Sequence, residues 1–240
     1  MRLKAFFLAG TVLLGISQLG YGQGTIVGSK HDFSQVANTW NFTTPVTTGY
    51  QGQICQPCHA PHGNNITTAG ANAPLWSHAL STATYTLYAG FKFTATGHGA
   101  ATQSQPDGSS KLCLSCHDGT VALASFRTNA ATGATTMANF NSGSGVGYGN
   151  LGTDLSTTHP ISFTYDATLA SNDRHLWNPI TTLSGIHGGS ISADMLEAGA
   201  DGTQKMQCIS CHDPHNAAGA SHLLIKSNVG SALCYTCHKI

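Results

Sequence analysis

Hydrophobic residues along this chain rarely keep a helical or a strand period. From Gly24 to Ile54 turn residues predominate and no helical repeat is sustained. Apolar residues alternate over Tyr85–Phe93, which predicts a short strand or an irregular wrapping segment, and over Ile161–Tyr165, which predicts a short strand. The pattern therefore predicts mostly irregular coil with few short strands.

A longer apolar run lies at the N-terminus. Arg2 and Lys4 precede a run from Ala5 to about Leu19, and small residues follow it. This arrangement predicts a secretory signal over residues 1–22, because the run is short for a transmembrane helix. The mature chain would then be a single exported domain over residues 23–240, with no membrane span.

Charge is sparse, at 8% of the residues. Removal of Arg2 and Lys4 with the signal leaves eight basic and ten acidic side chains, a formal charge of −2. Nothing in this balance indicates nucleic-acid binding, which calls for a basic surface. Many Gly, Ser, Thr, Asn and Ala residues provide little apolar side chain, so the chain needs another source of core.

All eight cysteines fall in C-x-x-C-H motifs, the attachment pattern of c-type haem. Two thiols three positions apart reach two vinyl groups of one porphyrin, and the adjacent histidine reaches the iron as proximal ligand. Numbered 1 to 4 in chain order, the motifs are Cys55/Cys58/His59, Cys113/Cys116/His117, Cys208/Cys211/His212 and Cys234/Cys237/His238.

Zinc sites, redox disulfides and structural bridges also use paired cysteines. None of them needs a histidine directly after every second cysteine. The sequence therefore predicts four covalently attached haem c groups. As large apolar bodies they would form the missing core, with coil wrapped round them and short helices at the motifs.

Four irons closed on both sides need four distal ligands, and nine histidines remain outside the motifs. His62 and His215 each stand three residues beyond a motif histidine, where they would reach only a neighbouring haem or merely end the motif helix. We predict as distal ligands His31, His78 and His159, with either His62 or His215 as the fourth. His98, His175 and His187 are predicted not to bind iron, and His222 is an outside candidate.

Methionines are few and stand in no suggestive context, so bis-histidine coordination is favoured and with it a low potential. A closed iron leaves no position for substrate, which favours electron conduction over catalysis, and no catalytic residue is predicted. The glycine-rich stretch 128–152 has no period. It is interpreted either as a linker between two haem pairs or, as we prefer, as part of one continuous domain.

Several phrases resemble a known family. SKHDFS around His31, CHAPH, PLWSHALS, CLSCHDGTVA, LGTDLSTTHPISF and CISCHDPHN…CYTCH resemble the multihaem cytochromes with doubled C-x-x-C-H motifs. Within them the chain is similar to the tetrahaem, nanowire-forming outer-surface cytochromes of metal-reducing bacteria, of the OmcE type.

The resemblance implies extracellular electron transfer through bis-histidine haems and head-to-tail polymerisation, in which His62 would complete a haem of the next subunit. The implied partners are other redox proteins, further copies of the chain and an extracellular acceptor such as a metal oxide. Two other functions stay open: a discrete periplasmic carrier between a quinol dehydrogenase and a terminal reductase, and a reductase with one open haem.

Overall fold

The computed structural model describes residues 26–33, 54–55, 57–60, 75–123, 125, 149–199 and 201–239. The predicted signal over residues 1–22, most of the glycine-rich stretch and His62 lie outside the described residues. Within these ranges, no helix combines the length and apolarity needed to cross a membrane.

The regular elements are short and are separated by turns and coil. The helices are α1 (Phe91–Thr94), α2 (Gly108–His117), α3 (Ala167–Asn172), α4 (Ile191–Met195) and α5 (Cys234–Cys237), the 3-10 turns are Gly99–Ala101, Cys208–Ser210, Ser221–Leu223 and Val229–Ser231, and the strands are β1 (Phe163–Thr164), β2 (Glu197–Ala198) and β3 (Gln204–Met206). This architecture confirms the prediction of mostly coil with short helices and few short strands.

Side-chain caps define the starts of two of these helices. Asp166 accepts a hydrogen bond from Leu169 N (2.7 Å) at the start of α3, and Ser190 accepts one from Ala193 N (3.2 Å) at the start of α4. Such caps satisfy backbone N–H groups that have no partner within the first turn. Helices this short depend on these caps and on tertiary contacts.

The strands form one small antiparallel sheet in the order β1-β3-β2. Phe163 pairs with Met206, and Lys205 lies between Thr164 and Glu197 in register. The strand predicted within Ile161–Tyr165 is thus present as β1, and β3 leads directly into the third cysteine motif.

The segment Tyr85–Phe93 is irregular and ends in a helix. Thr86 makes an isolated bridge to Asp154, whereas Phe91 begins α1 and is 90% exposed. The apolar alternation there does not follow a sheet face, because its residues contact different parts of the molecule.

The largest apolar cluster joins the sheet to the fourth motif. Tyr165 and Ile191 are fully buried in it, and Met195 and Met206 pack there as well. Those two methionines therefore serve as core side chains. The cluster consists of Phe163, Tyr165, Leu169, Ala170, Ile191, Met195, Met206, Leu233 and Cys237.

Gly108 lets the start of α2 approach the sheet. Its φ is +51°, in the left-handed region that glycine adopts without strain. A Cβ there would lie 3.0 Å from Gln207 Nε2 and 3.1 Å from Glu197 Oε1. Ser109 N donates to Glu197 Oε2 (3.1 Å), so the carboxylate of Glu197 acts at the N-terminus of α2, where the Asp107 side chain makes no cap.

We predict that Gly108→Ala destabilises the protein more than Gly202→Ala. Gly202 also has positive φ, +76°, but has no atom within 4 Å of its Cβ position, so it controls for backbone strain alone. Crowding against Gln207 and Glu197 should add about 1–3 kcal/mol to the loss at Gly108. Denaturant unfolding of both variants measures the difference, and equal losses would contradict the packing account.

Candidate haem-binding site

Each cysteine motif forms a tight turn that presents its histidine. Motif 2 occupies the last turns of α2 and motif 4 begins with α5. In the other two, the histidine N–H bonds to the first cysteine's carbonyl, at 2.8 Å for His59 and 3.0 Å for His212. Because one turn separates the two cysteines, their thiols and the histidine belong to one local surface.

The second cysteine of every motif lies in apolar surroundings. Burial is the main cause that raises the pKa of these thiols, to about 11 for Cys58 and Cys211 and about 12 for Cys116 and Cys237. With nothing bound, such thiols are neutral at neutral pH. Among the described residues, no three His, Cys, Asp or Glu side chains converge on a point suited to a bare metal ion.

Three of the motif histidines face a second histidine from elsewhere in the chain. The ring centroids are 6.1 Å apart for His117 and His31, 6.1 Å for His59 and His215, and 6.3 Å for His238 and His159. The interplanar angles are 44°, 17° and 77° respectively. Each pair thus joins one attachment histidine to one of the predicted distal ligands.

The spacing of these pairs suits one iron held between two imidazoles. A metal–imidazole nitrogen bond is about 2 Å long and the nitrogen lies about 1.1 Å from its ring centre, which puts the two ring centres on the order of 6 Å apart. Direct aromatic contact also occurs at this separation. Contact alone, however, does not explain why every pair contains one motif and one non-motif histidine.

Backbone carbonyls orient several of these rings. A carbonyl oxygen lies near Nδ1 of His31 (Pro214, 3.4 Å), His159 (Pro160, 2.9 Å), His212 (His222, 3.0 Å) and His117 (Gly149). An imidazole that donates its Nδ1–H in this way keeps the Nε2 lone pair for a metal, the usual arrangement around metal-binding histidines.

Burial keeps the first of these rings in its neutral, metal-binding form. The pKa of His31 is lowered to about 4, chiefly by burial and next by the nearby His117. The pKa of His117 is lowered as well, again chiefly by burial. Both rings are therefore neutral at neutral pH, as iron ligation requires.

A turn built on Asp213 positions His215. Asp213 Oδ1 accepts from His215 N (2.8 Å) and Oδ2 accepts from Ala217 N (2.6 Å). The ring of His215, a motif 3 neighbour, consequently lies opposite His59 of motif 1. This is the neighbouring-site placement that the three-residue spacing allows.

His78 lies in a different environment. It is 4% exposed, with Nδ1 2.8 Å from Ala79 O and Nε2 3.1 Å from Ala122 O and 3.5 Å from Cys116 Sγ. Its ring faces no other histidine ring within the part of the chain that the structure describes. Its predicted role as an iron ligand stays a prediction, and its position is beside the motif 2 thiol.

His212 of motif 3 is the one attachment histidine whose ring contacts no second imidazole among the described residues, and His62 lies outside them. The histidines predicted not to bind iron lie apart from the pairs. His98 Nδ1 is 3.8 Å from Asp173 Oδ2, and His175 and His187 are exposed. His222 is exposed too, but its carbonyl orients His212, a role that the sequence does not indicate.

The motifs contact one another in chain order. Ser77 N donates to Cys58 O (2.8 Å) and the adjacent His78 reaches Cys116, which links motifs 1 and 2. The Cys113 thiol lies beside the Cys208 thiol, and this interaction, followed by burial, raises the pKa of Cys113. Cys211 packs against the cluster that contains Cys237, which links motifs 3 and 4.

A polar clamp, Asp107/Lys205/Gln207, fixes α2 against the segment that leads into motif 3. Lys205 Nζ lies 2.6 Å from Asp107 Oδ2, and Gln207 Nε2 donates to Asp107 Oδ1 (2.7 Å). Cys208 N donates to Ser110 Oγ (3.0 Å) beside it. These bonds join residues about a hundred positions apart, so no local sequence pattern indicates them.

The family model of the doubled CXXCH motif matches residues 202–239, which contain motifs 3 and 4. The match supports a multihaem c-type cytochrome. Comparison of the chain with curated proteins found no match.

The donor sets of the four motifs fit haem c. Each motif supplies two separate thiols and one imidazole, and three of the motifs have a second imidazole at the separation that one iron requires. The second cysteine of each motif, where one thioether bond would form, is half-buried or buried, whereas Cys55 and Cys234 are exposed. Bound haem would supply a one-electron couple, whose potential the protein tunes through ligands, hydrogen bonds and burial.

Loss of the clamp should loosen motif 2 from motif 3. We predict that Asp107→Ala lowers the free energy of unfolding of the protein by about 1–3 kcal/mol, because it leaves the Lys205 ammonium buried without its partner. Adding Lys205→Met should recover part of the loss. The matched control is Asp201→Ala, since Asp201 is exposed and accepts from its own turn at Thr203. Equal effects in chemical unfolding would show that the clamp does not hold the motifs together.

Proposed function

We propose that the chain is an exported tetrahaem cytochrome that transfers electrons outside the cytoplasm through four bis-histidine haems, as a subunit of a conductive filament. The observation that supports it most is the set of three histidine pairs at 6.1–6.3 Å, each with one attachment histidine. The four haems, the export and the filament are parts of the proposal.

Closed coordination suits electron transfer. An iron with imidazole on both sides has no open position for a substrate and exchanges electrons through the porphyrin edge. In the proposal, the distal ligands are His31 for motif 2, His159 for motif 4 and His215 for motif 1. Bis-histidine ligation gives a lower potential than Met/His ligation, and the buried Met195 and Met206 already serve the core.

Contacts between successive motifs support a relay. Motif 2 meets motif 3 through the Cys113–Cys208 thiol contact and the Asp107 clamp, and His78 connects motifs 1 and 2. Haems attached to sulfurs this close together would have short distances between their porphyrin edges. Electrons would then pass along the chain from one motif to the next.

The filament part of the proposal concerns His212. Its ring is oriented by His222 O but faces no second histidine among the described residues. We propose that His62, in place of the predicted His78, is the distal ligand of this haem, from the same chain in a discrete periplasmic carrier or from the next subunit in a filament, so that both His62 and His215 bind iron. A head-to-tail contact that does not close on itself produces an open fibre.

The same observation favours a second candidate function. If no imidazole completes the site at His212, that haem would keep an open position and the protein would be a multihaem reductase. A vacant distal side permits small-molecule binding, which a closed relay does not. High-spin haem in the native protein that responds to nitrite or hydroxylamine would favour this candidate.

Removal of a distal ligand should open one haem. We expect His159→Ala to convert one of the four haems from low-spin to high-spin, because its ring lies opposite His238. Absorption and electron paramagnetic resonance spectra measure the change. His187→Ala, at an exposed position, is the control and should keep the native spectrum. An unchanged spectrum in His159→Ala would remove His159 from the ligand set.

Assembly is tested on His62→Ala. In a filament that shares this ligand, the native secreted cytochrome forms fibres in electron micrographs, and His62→Ala leaves discrete particles with one high-spin haem. In a discrete carrier, both proteins stay monomeric and only the haem spectrum changes. Native monomers with four low-spin haems would contradict the filament.

A further inference from the structure

The residue that directly follows each attachment histidine differs in charge and in burial. It is Ala60 in motif 1, Asp118 in motif 2, Asp213 in motif 3 and Lys239 in motif 4. Asp118 is 3% exposed, whereas the Asp213 side chain is 20% exposed and Lys239 is exposed. Motif 2 is therefore the attachment site with a buried negative charge beside its histidine.

Neutral donors hold the Asp118 carboxylate. Tyr85 Oη donates to Oδ2 (2.6 Å), and Thr120 donates to Oδ1 through its N–H (2.8 Å) and its hydroxyl (2.9 Å). Ser81 Oγ lies 3.1 Å from the Thr120 hydroxyl. Within the described ranges, Asp118 forms no ion pair with a Lys, Arg or His side chain, so its charge is solvated by hydrogen bonds and is not neutralised.

Tyr85 stays a donor over the whole physiological range. Burial, and next its hydrogen bond to Asp118, raise its pKa well above the usual range. Tyr85 also packs with Leu114 and Leu155 in a buried apolar cluster. A charge beside such a cluster acts through a lower effective dielectric than a charge in water.

The field of this carboxylate reaches the groups that would hold the haem. It opposes the lowering of the His117 pKa that burial causes, and it adds to the rise of the Cys116 pKa, of which burial is the largest cause. Oxidised haem carries one more positive charge than reduced haem. A nearby buried anion therefore stabilises the oxidised state and lowers the reduction potential.

We infer that Asp118 lowers the reduction potential of the haem at Cys113, Cys116 and His117 and makes it the last of the four to be reduced. This inference rests on the proposed function. Asp213 has a weaker effect, since its carboxylate is partly solvated and is engaged with the backbone N–H groups of His215 and Ala217. Asp118 thus acts on the potential through its charge and does not bind iron.

The test compares Asp118→Asn with Asp213→Asn, the same change at the equivalent position of motif 3. Potentials are measured on the haem-loaded cytochrome by spectroelectrochemistry at one pH, with haems counted by the pyridine haemochrome assay. We expect the lowest potential to rise in Asp118→Asn by at least about 59 mV, a tenfold change in a one-electron equilibrium constant. Asp213→Asn should shift its own haem by less, and Asp118→Glu should stay near the native value.

The lowest potential is assigned to the haem at His117 with His31→Met. This variant replaces the histidine opposite His117 and should raise the same potential. If Asp118→Asn loads four low-spin haems and its lowest potential does not move, or moves no more than in Asp213→Asn, the inference fails and the proposed function stands. Fewer than four haems in the native protein would instead remove the proposed function. If the Asp118→Asn variant does not bind its haems, haem-methyl NMR of the native protein tests the inference instead. The haem at His117 must then be the last of the four to be reduced.

Discussion

The structure depends on imidazole rings that meet across a gap of about the width of one liganded metal. In three places an attachment histidine lies 6.1–6.3 Å from a histidine supplied by a distant part of the chain. In none of the three pairs do the two histidines lie on the same helix or sheet face. The turns, the caps and the small sheet are arranged so that residues 31, 159 and 215 arrive opposite residues 117, 238 and 59.

The protein scaffold around these pairs is small. Its main apolar cluster contains nine buried residues and one of them, Cys237, is itself an attachment cysteine. A second cluster of Tyr85, Leu114 and Leu155 lies along α2. Polar contacts such as Asp107 with Lys205 and Gln207 complete the packing. We expect bound haem to supply much of the cohesion that so small a set of buried apolar side chains does not.

The sequence predicts the structural features that depend on spacing within a few residues. The motifs indicate their own turns, and the Ile161–Tyr165 alternation indicates β1, because both signals lie within a few residues. The segment at Tyr85–Phe93 was ambiguous, and Phe91 begins a helix with its ring in solvent. Long-range features were not predicted, namely the Asp107 clamp, the His222 carbonyl and the buried Asp118, because each depends on a partner that the tertiary fold supplies. The distal-ligand assignments stay predictions, and three of those histidines lie 6.1–6.3 Å from an attachment histidine.

The pairing of residues 59 and 215 has a consequence for biogenesis. Contacts this far apart in a chain form late, since a long loop must close first. If the chain is exported as proposed, the attachment site at Cys55 and Cys58 emerges early, whereas the ring opposite it belongs to a much later stretch. Haem bonded early at Cys55 and Cys58 would wait with one axial side accessible until translocation is nearly finished, so a truncated chain would retain an exposed, reactive iron at its first site.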